Sequence, residues 1–317
     1  MKDTTSTGVD RRTFIKSTGA AIGVSALGST AVSASNSDAA NDEGSNEPPA
    51  MIAHRGYAGR YPENTLRAVE AASETAAMIE IDIVPTADGE VVVFHDDRLS
   101  GRDGGTKGLT DVEGYVWEQP WEVVREAEVL ESGETVPSLA AVLDAIPDEV
   151  GINIEFKNPG STEIRTGEKL CASDLEIQKD LWRPMAERAL DLAGAVDNEV
   201  LVSSFAEAAL AVTREIDPSV PVAFLFWDSI EPGLEITEAY DCEALHPPWN
   251  LVKGTPFYGD DYSAPGPYDS DVDLIDWAHD RDMDVHVYTI QSWYPASQLA
   301  DAGVDGLITD FPNLLEE

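Results

Sequence analysis

Short apolar runs, each bounded by turn residues and most separated by a helix-length stretch of 3.6-residue period, set the constraint that any fold of this chain must satisfy. The runs are Met51-Ala53, Met78-Val84, Val91-Phe94, Gly151-Phe156, Val200-Ser203, Val222-Phe226, Glu243-Leu245 and Val285-Thr289. Helical periods occupy Thr65 to Thr75, Leu139 to Ile146, Ile177 to Ala193, Ala206 to Ile216, Val272 to Asp282 and Ser297 to Ala302. Eight strands alternating with helices over residues 50–317 predict an α/β fold, a closed (β/α)8 barrel. An open doubly wound sheet would share this periodicity, but the chain lacks the glycine-rich first turn of a dinucleotide binder. Two segments break the alternation. Residues 97–137, with Gly104-Gly105, Trp117 and Trp121, are too long for an ordinary connection and predict a small subdomain inserted after the third strand. Gly160 to Asp174 is a polar stretch carrying Cys171.

Charge narrows the function classes. Of 317 residues 60 are acidic and 20 basic, a formal net charge of -40. Such a chain has no basic face for a phosphate backbone, so nucleic acid is excluded as a partner, and an anionic membrane surface is disfavoured. With 43% apolar residues it still has material for an ordinary core. Acidity spread along the whole chain suits a protein kept soluble in concentrated salt, where self-repulsion is screened. A halophilic, haloarchaeal setting is therefore expected, with an acidic specialist in ordinary salt as the alternative.

Residues 1–34 read as an address. Arg11-Arg12-Thr13-Phe14-Ile15-Lys16 is a twin-arginine signature, followed by a weakly apolar, glycine-broken stretch from Thr18 to Val32. Val32-Ser33-Ala34 offers a cleavage site, and residues 35–49 form a polar, acidic linker. The expectation is export across the cytoplasmic membrane by the twin-arginine machinery, to a secreted or cell-surface location. The apolar stretch is too short for a stable membrane anchor.

Chemistry gathers at the ends of the apolar runs. His54-Arg55 closes the first, Glu80-Ile81-Asp82 lies in the second, His95-Asp96 ends the third and Glu155-Phe156-Lys157 ends the fourth. In a parallel barrel the carboxyl ends of the strands converge, and alternate residues share a face, which pairs Glu80 with Asp82 and Glu155 with Lys157. A lone histidine or glutamate at a strand end is ordinarily structural; several converging there are not. Oxygen donors without thiolates suit a hard divalent cation, Mg²⁺ or Ca²⁺. Two imidazoles beside it suit acid–base work near neutral pH, and Arg55 and Lys157 suit an oxyanion such as phosphate. His279, among Asp276, Asp280 and Asp282, reads as a surface residue. His246 begins a proline-rich mouth and His286 shares a strand with Tyr288.

With Pro62-Glu63-Asn64-Thr65, Thr86-Ala87-Asp88-Gly89, Ser204-Phe205 and the closing Asp305-Gly306-Leu307-Ile308-Thr309-Asp310-Phe311-Pro312, these motifs resemble, in order and spacing, those of the glycerophosphodiester phosphodiesterases from Met51 to Pro312. The resemblance implies a (β/α)8 barrel with an insertion after the third strand. It also implies metal ligands at Glu80, Asp82 and Glu155, an acid–base pair at His54 and His95, and phosphate contacts at Arg55 and Lys157. The implied reaction turns a glycerophosphodiester into sn-glycerol phosphate and an alcohol, with or without a cyclic phosphate intermediate. Glu63 and Asn64 are expected to cap the following helix and brace the loop carrying Arg55. Asp96 is expected to orient His95. Asp88-Gly89 marks a tight return between the second and third strands, as a hairpin or an extended crossing.

The pattern has departures. Tyr288-Thr289-Ile290-Gln291 stands where Trp-Thr-x-Asn is common, and Leu99-Ser100-Gly101-Arg102 where Leu-x-Arg-Thr is common. Tyr288 then supplies an aromatic wall and Gln291 an amide, with an altered substrate fit. Phe205, Trp227, Trp249 and Phe257 are further candidates for the mouth, or ordinary rim aromatics. Cys171 and Cys242 are the only cysteines; both a disulfide between them and two free thiols are open in an oxidising medium. Two other readings share the barrel: a lipid phosphodiesterase like phosphatidylinositol phospholipase C or phospholipase D, and a non-catalytic binder of phosphorylated polyols. The intact Pro62-Glu63-Asn64-Thr65 and Glu155-Phe156-Lys157 count against the first, and the complete set of carboxylates and histidines against the second.

Overall fold

The computed structural model describes residues 48–100, 109–227, 230–262 and 270–316. The twin-arginine segment, the linker up to residue 47, and Gly101-Arg102 lie outside the described residues. The strands are β1 (Ala50–His54), β2 (Met78–Pro85), β3 (Val91–Val93), β4 (Gly151–Phe156), β5 (Val200–Ser204), β6 (Val222–Leu225), β7 (Ala244–His246), β8 (Asp284–Ile290) and β9 (Gly306–Thr309). The helices are α1 (Leu66–Ala72), α2 (Trp121–Val124), α3 (Leu139–Ala145), α4 (Ala172–Ala193), α5 (Glu207–Ile216), α6 (Ile230–Ala239), α7 (Leu274–His279) and α8 (Trp293–Ala302). Among the described residues no helix is long and apolar enough to cross a membrane.

Eight parallel strands close in the order β1-β2-β4-β5-β6-β7-β8-β9, with β9 returning to β1. The strand count expected from sequence holds, but its membership changes. Val91–Val93 pairs antiparallel with β2 outside the barrel, with Ile83 opposite Val93 and Pro85 opposite Val91, so the Asp88-Gly89 return is a hairpin. The closing strand is instead Gly306–Thr309, whose four residues carry no helix-to-strand contrast that marks them out. The insertion thus follows the third strand of the chain but only the second of the barrel.

Both faces of the barrel strands are covered, so each strand can be apolar throughout except where chemistry intervenes. In β2, Ile79, Ile81 and Ile83 turn outward into the main core shared with the helices, while Met78 belongs to the barrel interior. Glu80 and Asp82 occupy the same inward face as Met78. Ile152, Ile154 and Phe156 of β4 likewise turn outward, leaving Asn153 and Glu155 inward. The lower barrel is tightly filled. A Cβ on Gly306 would lie 2.7 Å from His286 Cδ2 and 2.9 Å from Ile52 Cδ1, so only glycine fits there.

The insertion has a core of its own. Val84, Val92 and Phe94 on the outer hairpin face pack with Leu99, Val116, Val124, Val129 and Val136. Isolated bridges Arg98–Tyr115, Thr110–Val129 and Glu128–Thr135 hold its turns, and Asn158 Nδ2 donates to Asp97 Oδ1 at 2.9 Å. Both cysteines are free thiols: Cys171 is exposed ahead of α4, whereas Cys242 is buried, its thiol pushed up by burial and unavailable to a surface partner.

His246 is not at the mouth but fully buried, its Nε2 3.1 Å from Nδ1 of His286, which is fully buried too and shares β8 with Tyr288 as expected. Burial pushes His286 down to about 4, and burial together with the neighbouring imidazole holds His246 well below its ordinary value. Both are therefore neutral in the folded protein, while the unfolded chain takes up protons below about pH 6.5. Their stabilisation is fully present above that pH and is lost as pH falls toward 4, on the order of 3 kcal/mol for His286 alone. Urea unfolding at fixed salt should show this acid loss in the parent and a flatter profile in His286→Gln. Equal slopes in the two proteins between pH 6.5 and 4 would contradict the assignment.

Candidate active site

The carboxyl ends of the barrel strands open on a pocket of about 360 Å³. The arc β1-β2-β4 supplies His54, Arg55, Glu80, Glu155 and Lys157 to it, and the hairpin carries His95 to the same rim. The remaining arc supplies Phe205, Leu225, Trp227, Tyr288 and Ile308, with Tyr262 from the β7–α7 connection. A charged half thus faces an aromatic half.

Glu80, Asp82 and Glu155 offer ligand atoms that lie within 4.8 Å of one another, and all three residues are buried. Glu80 Oε1 and Asp82 Oδ1 have no hydrogen-bond partner. Burial, then Asp82 and Glu155, raise the Glu80 carboxyl well above its ordinary value. Burial raises Glu155 as well, partly offset by Lys157 and reinforced by Asp82. Three buried carboxylates, with an unpartnered oxygen on Glu80 and on Asp82 and no thiolate among them, fit a hard divalent cation, which would relieve both the repulsion and the unmet hydrogen bonding.

Two cations flank the carboxylates. Arg55 Nη1 donates to Glu63 Oε1 at 2.7 Å, its Nε lies 3.3 Å from Asp82 Oδ2, and its backbone N–H donates to Glu80 Oε2 at 2.9 Å. That backbone bond needs the left-handed conformation of Arg55, φ 52°. Gly56 continues it at φ 74°, where a Cβ would lie 2.8 Å from Ala68 of α1. The His-Arg-Gly triplet is thus a tight turn that aims a backbone amide at the carboxylates. Lys157 Nζ donates to Glu155 Oε1 at 2.8 Å and lies 3.8 Å from Asp82 Oδ1. Burial opposes its charge, but Glu155 and Asp82 outweigh burial and raise it.

Each imidazole is held by a carboxylate. His54 Nδ1 lies 2.6 Å from Asp310 Oδ1, and His95 Nδ1 lies 2.6 Å from Asp96 Oδ1. Burial and then Arg55 push His54 below its ordinary value, against the pull of Asp310. His54 is therefore neutral at neutral pH, with its Nδ1 taken up by Asp310 and Nε2 left for the pocket.

With this geometry in place, a family model for the glycerophosphoryl diester phosphodiesterase family matches residues 54–314. The chain belongs to that family. It is 27% identical over 272 residues to the glycerophosphodiester phosphodiesterase of Bacillus altitudinis, covering 83% of this chain and 95% of the relative. Among solved structures, the fold is similar to that of a Silicibacter pomeroyi protein described as a putative glycerophosphoryl diester phosphodiesterase (TM-score 0.65, 24% identity, 86% of this chain and 93% of that one). It is also similar to an Oleispira antarctica phosphodiesterase in complex with the product sn-glycerol-3-phosphate (TM-score 0.63, 23% identity, 84% and 94% covered).

In this glycerophosphodiester phosphodiesterase family member the pocket brings together His54, Arg55, Glu80, Asp82, His95, Glu155 and Lys157, as the strand-end argument anticipates. The expected helix cap is corrected. Thr65, not Glu63 or Asn64, caps α1, its Oγ1 accepting from Ala68 N at 3.3 Å. Asn64 sits at φ 57° and turns its side chain into the site, where Nδ2 donates to Asp82 Oδ2 at 2.9 Å. Glu63 and Asn64 do brace the Arg55 loop, but through the charged groups themselves.

Asp310 is the partner whose role sequence reasoning missed. Its Oδ1 faces His54 and its Oδ2 accepts from Gln291 Nε2 at 2.7 Å. Hydrogen bonds from His54 and Gln291 keep its carboxyl below the ordinary range despite burial. The signal was Thr309-Asp310 at the end of an apolar run too short to stand out. The Gln291 amide is thus spent on Asp310, while Tyr288 lines the pocket with its hydroxyl donated to the Phe226 carbonyl.

Proposed function

We propose that the protein hydrolyses glycerophosphodiesters to sn-glycerol phosphate and an alcohol. The observation that carries this is the meeting of three buried carboxylates, two of them with an unpartnered oxygen, two carboxylate-held imidazoles and two cations in one pocket. Glu80, Asp82 and Glu155 would hold one divalent cation, Mg²⁺ or Ca²⁺. When bound, it supplies positive charge to the phosphoryl oxygens as negative charge builds on them. Arg55 and Lys157 bind the same oxygens from the flanks and orient the phosphate for in-line displacement. His54 and His95 move the protons between them. One takes the proton of the attacking hydroxyl, from water or from the glycerol, and the other returns a proton to the departing alkoxide. Asp310 and Asp96 fix the ring orientations, and the aromatic half of the pocket limits water around the leaving group.

Export through the twin-arginine route and a saline setting complete the proposal, supported by Arg11-Arg12 and by the charge of -40. The saline setting is tested with the chemistry. Purified protein incubated with glycerophosphocholine and glycerophosphoethanolamine, in low and molar KCl and with or without chelator, is expected to release glycerol phosphate only with cation. Activity and melting temperature should both rise with salt, as screening relieves the acidic surface. Full activity in chelator, or no hydrolysis in either salt range, would sink the catalytic reading. A melting temperature that falls toward molar KCl would sink the saline one.

A further inference from the structure

Of the two imidazoles proposed to move protons, His54 ends barrel strand β1, whereas His95 follows the hairpin strand β3 outside the barrel. Its place beside the carboxylates must therefore be set by the segment that carries it. That segment, residues 94–97, is an arch with two feet. At the first, Phe94 N–H donates to the carbonyl of Asp82 at 2.9 Å, which pins the entry of the arch to a strand carrying two of the clustered carboxylates. At the second, Asp97 is held twice. Its carbonyl accepts from Val116 N–H at 3.0 Å, a tie to the insertion, and its carboxylate accepts from Asn158 Nδ2 at 2.9 Å, a tie to the residue after Lys157. Between the feet stand His95 and Asp96, with Nδ1 2.6 Å from Oδ1.

Asn158 is shaped for that bond. It is buried, and its Oδ1 accepts from the backbone N–H groups of Gly160 and Ser161, both at 2.9 Å. Two donors on the oxygen leave the amide one orientation, with Nδ2 turned to Asp97. The turn it organises is packed against the insertion and β2. Gly160 sits at φ 93°, and a Cβ there would stand 3.1 Å from Trp117 Cβ and 3.2 Å from Pro85 Cγ. One amide thus holds both the turn that follows Lys157 and the far foot of the arch that carries His95.

Building on the proposed diesterase reading, we infer that Asn158 and Asp97 form a clasp of positioning residues that sets His95 against the carboxylates and Lys157. Neither is among the residues lining the pocket, so both act through the arch. A displacement of about 1 Å at a group that must meet a reacting atom costs on the order of 10²-fold in rate. Binding of cation and phosphate rests on the barrel strands and is spared.

The test begins with Asn158→Asp, which keeps an oxygen for Gly160 and Ser161 but turns the other end of the side chain into a like charge facing Asp97. The value of kcat for glycerophosphocholine should fall on the order of 10²-fold, with KM changed less than about threefold. The rise in melting temperature on adding Mg²⁺ should match that of the parent. Adding Asp97→Asn restores a donor and an acceptor across the same gap in reversed order, and should return most of the lost kcat. In a His95→Ala background, Asn158→Asp should change the remaining rate less than about twofold, because the group it positions is gone. If near-UV circular dichroism shows that Asn158→Asp does not fold, Asp97→Ala opens the clasp from its exposed side and is read in the same cycle. Equal losses with and without His95 would show a merely structural bond and overturn the inference. A loss carried by KM, a diminished response to Mg²⁺, or a double variant no better than Asn158→Asp would do the same. Those results leave the diesterase reading standing, whereas a parent that hydrolyses no diester overturns both.

Discussion

Glu80→Gln is expected to abolish cation-dependent hydrolysis while making the cation-free protein more stable. The carboxyl is buried among like charges, and one of its oxygens lacks any hydrogen-bond partner. A carboxyl whose folded pKa is raised contributes fully below its unfolded value and costs stability as pH rises through the folded value. Glutamine keeps the shape and removes that cost, so the variant in chelator should gain on the order of 1–2 kcal/mol. The gain should be absent near pH 4 and grow toward neutrality. Saturating Mg²⁺ or Ca²⁺ should reverse the ranking, because the cation favours the ionised cluster of the parent. Turnover should fall on the order of 10³-fold. Thermal melts with and without chelator, beside diester hydrolysis, check both limbs. A variant that melts lower than the parent in chelator, or that retains its turnover, would remove Glu80 from the cation site.

Asp310→Asn should lower kcat by about 10³-fold with the fold intact. The carboxylate accepts two hydrogen bonds, one on each oxygen, from His54 and from Gln291. An asparagine offers a single carbonyl oxygen, and its amide group must face one of those donors. When the amide faces His54, the imidazole presents its Nδ1 lone pair and carries its proton on Nε2. That is the reverse of the tautomer held in the parent. Deleting the competing donor in Asp310→Asn/Gln291→Leu lets the asparagine oxygen turn to His54 and should recover a part of the loss. Double-mutant kinetics read this directly. Gln291→Leu that deepens the defect of Asp310→Asn would show that Asp310 acts other than by fixing the ring.

The barrel and most of its site were legible because both rest on short-range rules. Two-residue alternation places Glu80 beside Asp82 and Glu155 beside Lys157 on inward faces, and the convergence of parallel strand ends does the rest. What escaped depends on long-range pairing. Val91–Val93 has the composition of a barrel strand, and only its antiparallel register with β2 reveals that it lies outside. Gly306–Thr309 closes the barrel by pairing with β1, 256 residues away in sequence, and its outer end places Asp310 beside His54. His246 was misplaced for a related reason. His246 precedes two prolines, which read as a mouth, yet it is fully buried one strand from His286. The cap at Thr65 shows the converse, where a local rule named the right motif and the wrong member of it.

The hairpin that leaves the barrel after β2 sets the two histidines proposed as the acid–base pair beside two different hydrophobic clusters. His54 ends β1 next to Ala53 of the main core, whereas His95 follows Phe94 of the small core of the insertion. Such a layout permits opening of the smaller body at a free energy below that of global unfolding, in the manner of a cooperative subunit of folding. Each opening would carry His95 away from the carboxylates and leave the cation-binding half in place. Competence for turnover and integrity of the barrel are then separate quantities, and a heat or denaturant titration would lose the first before the second.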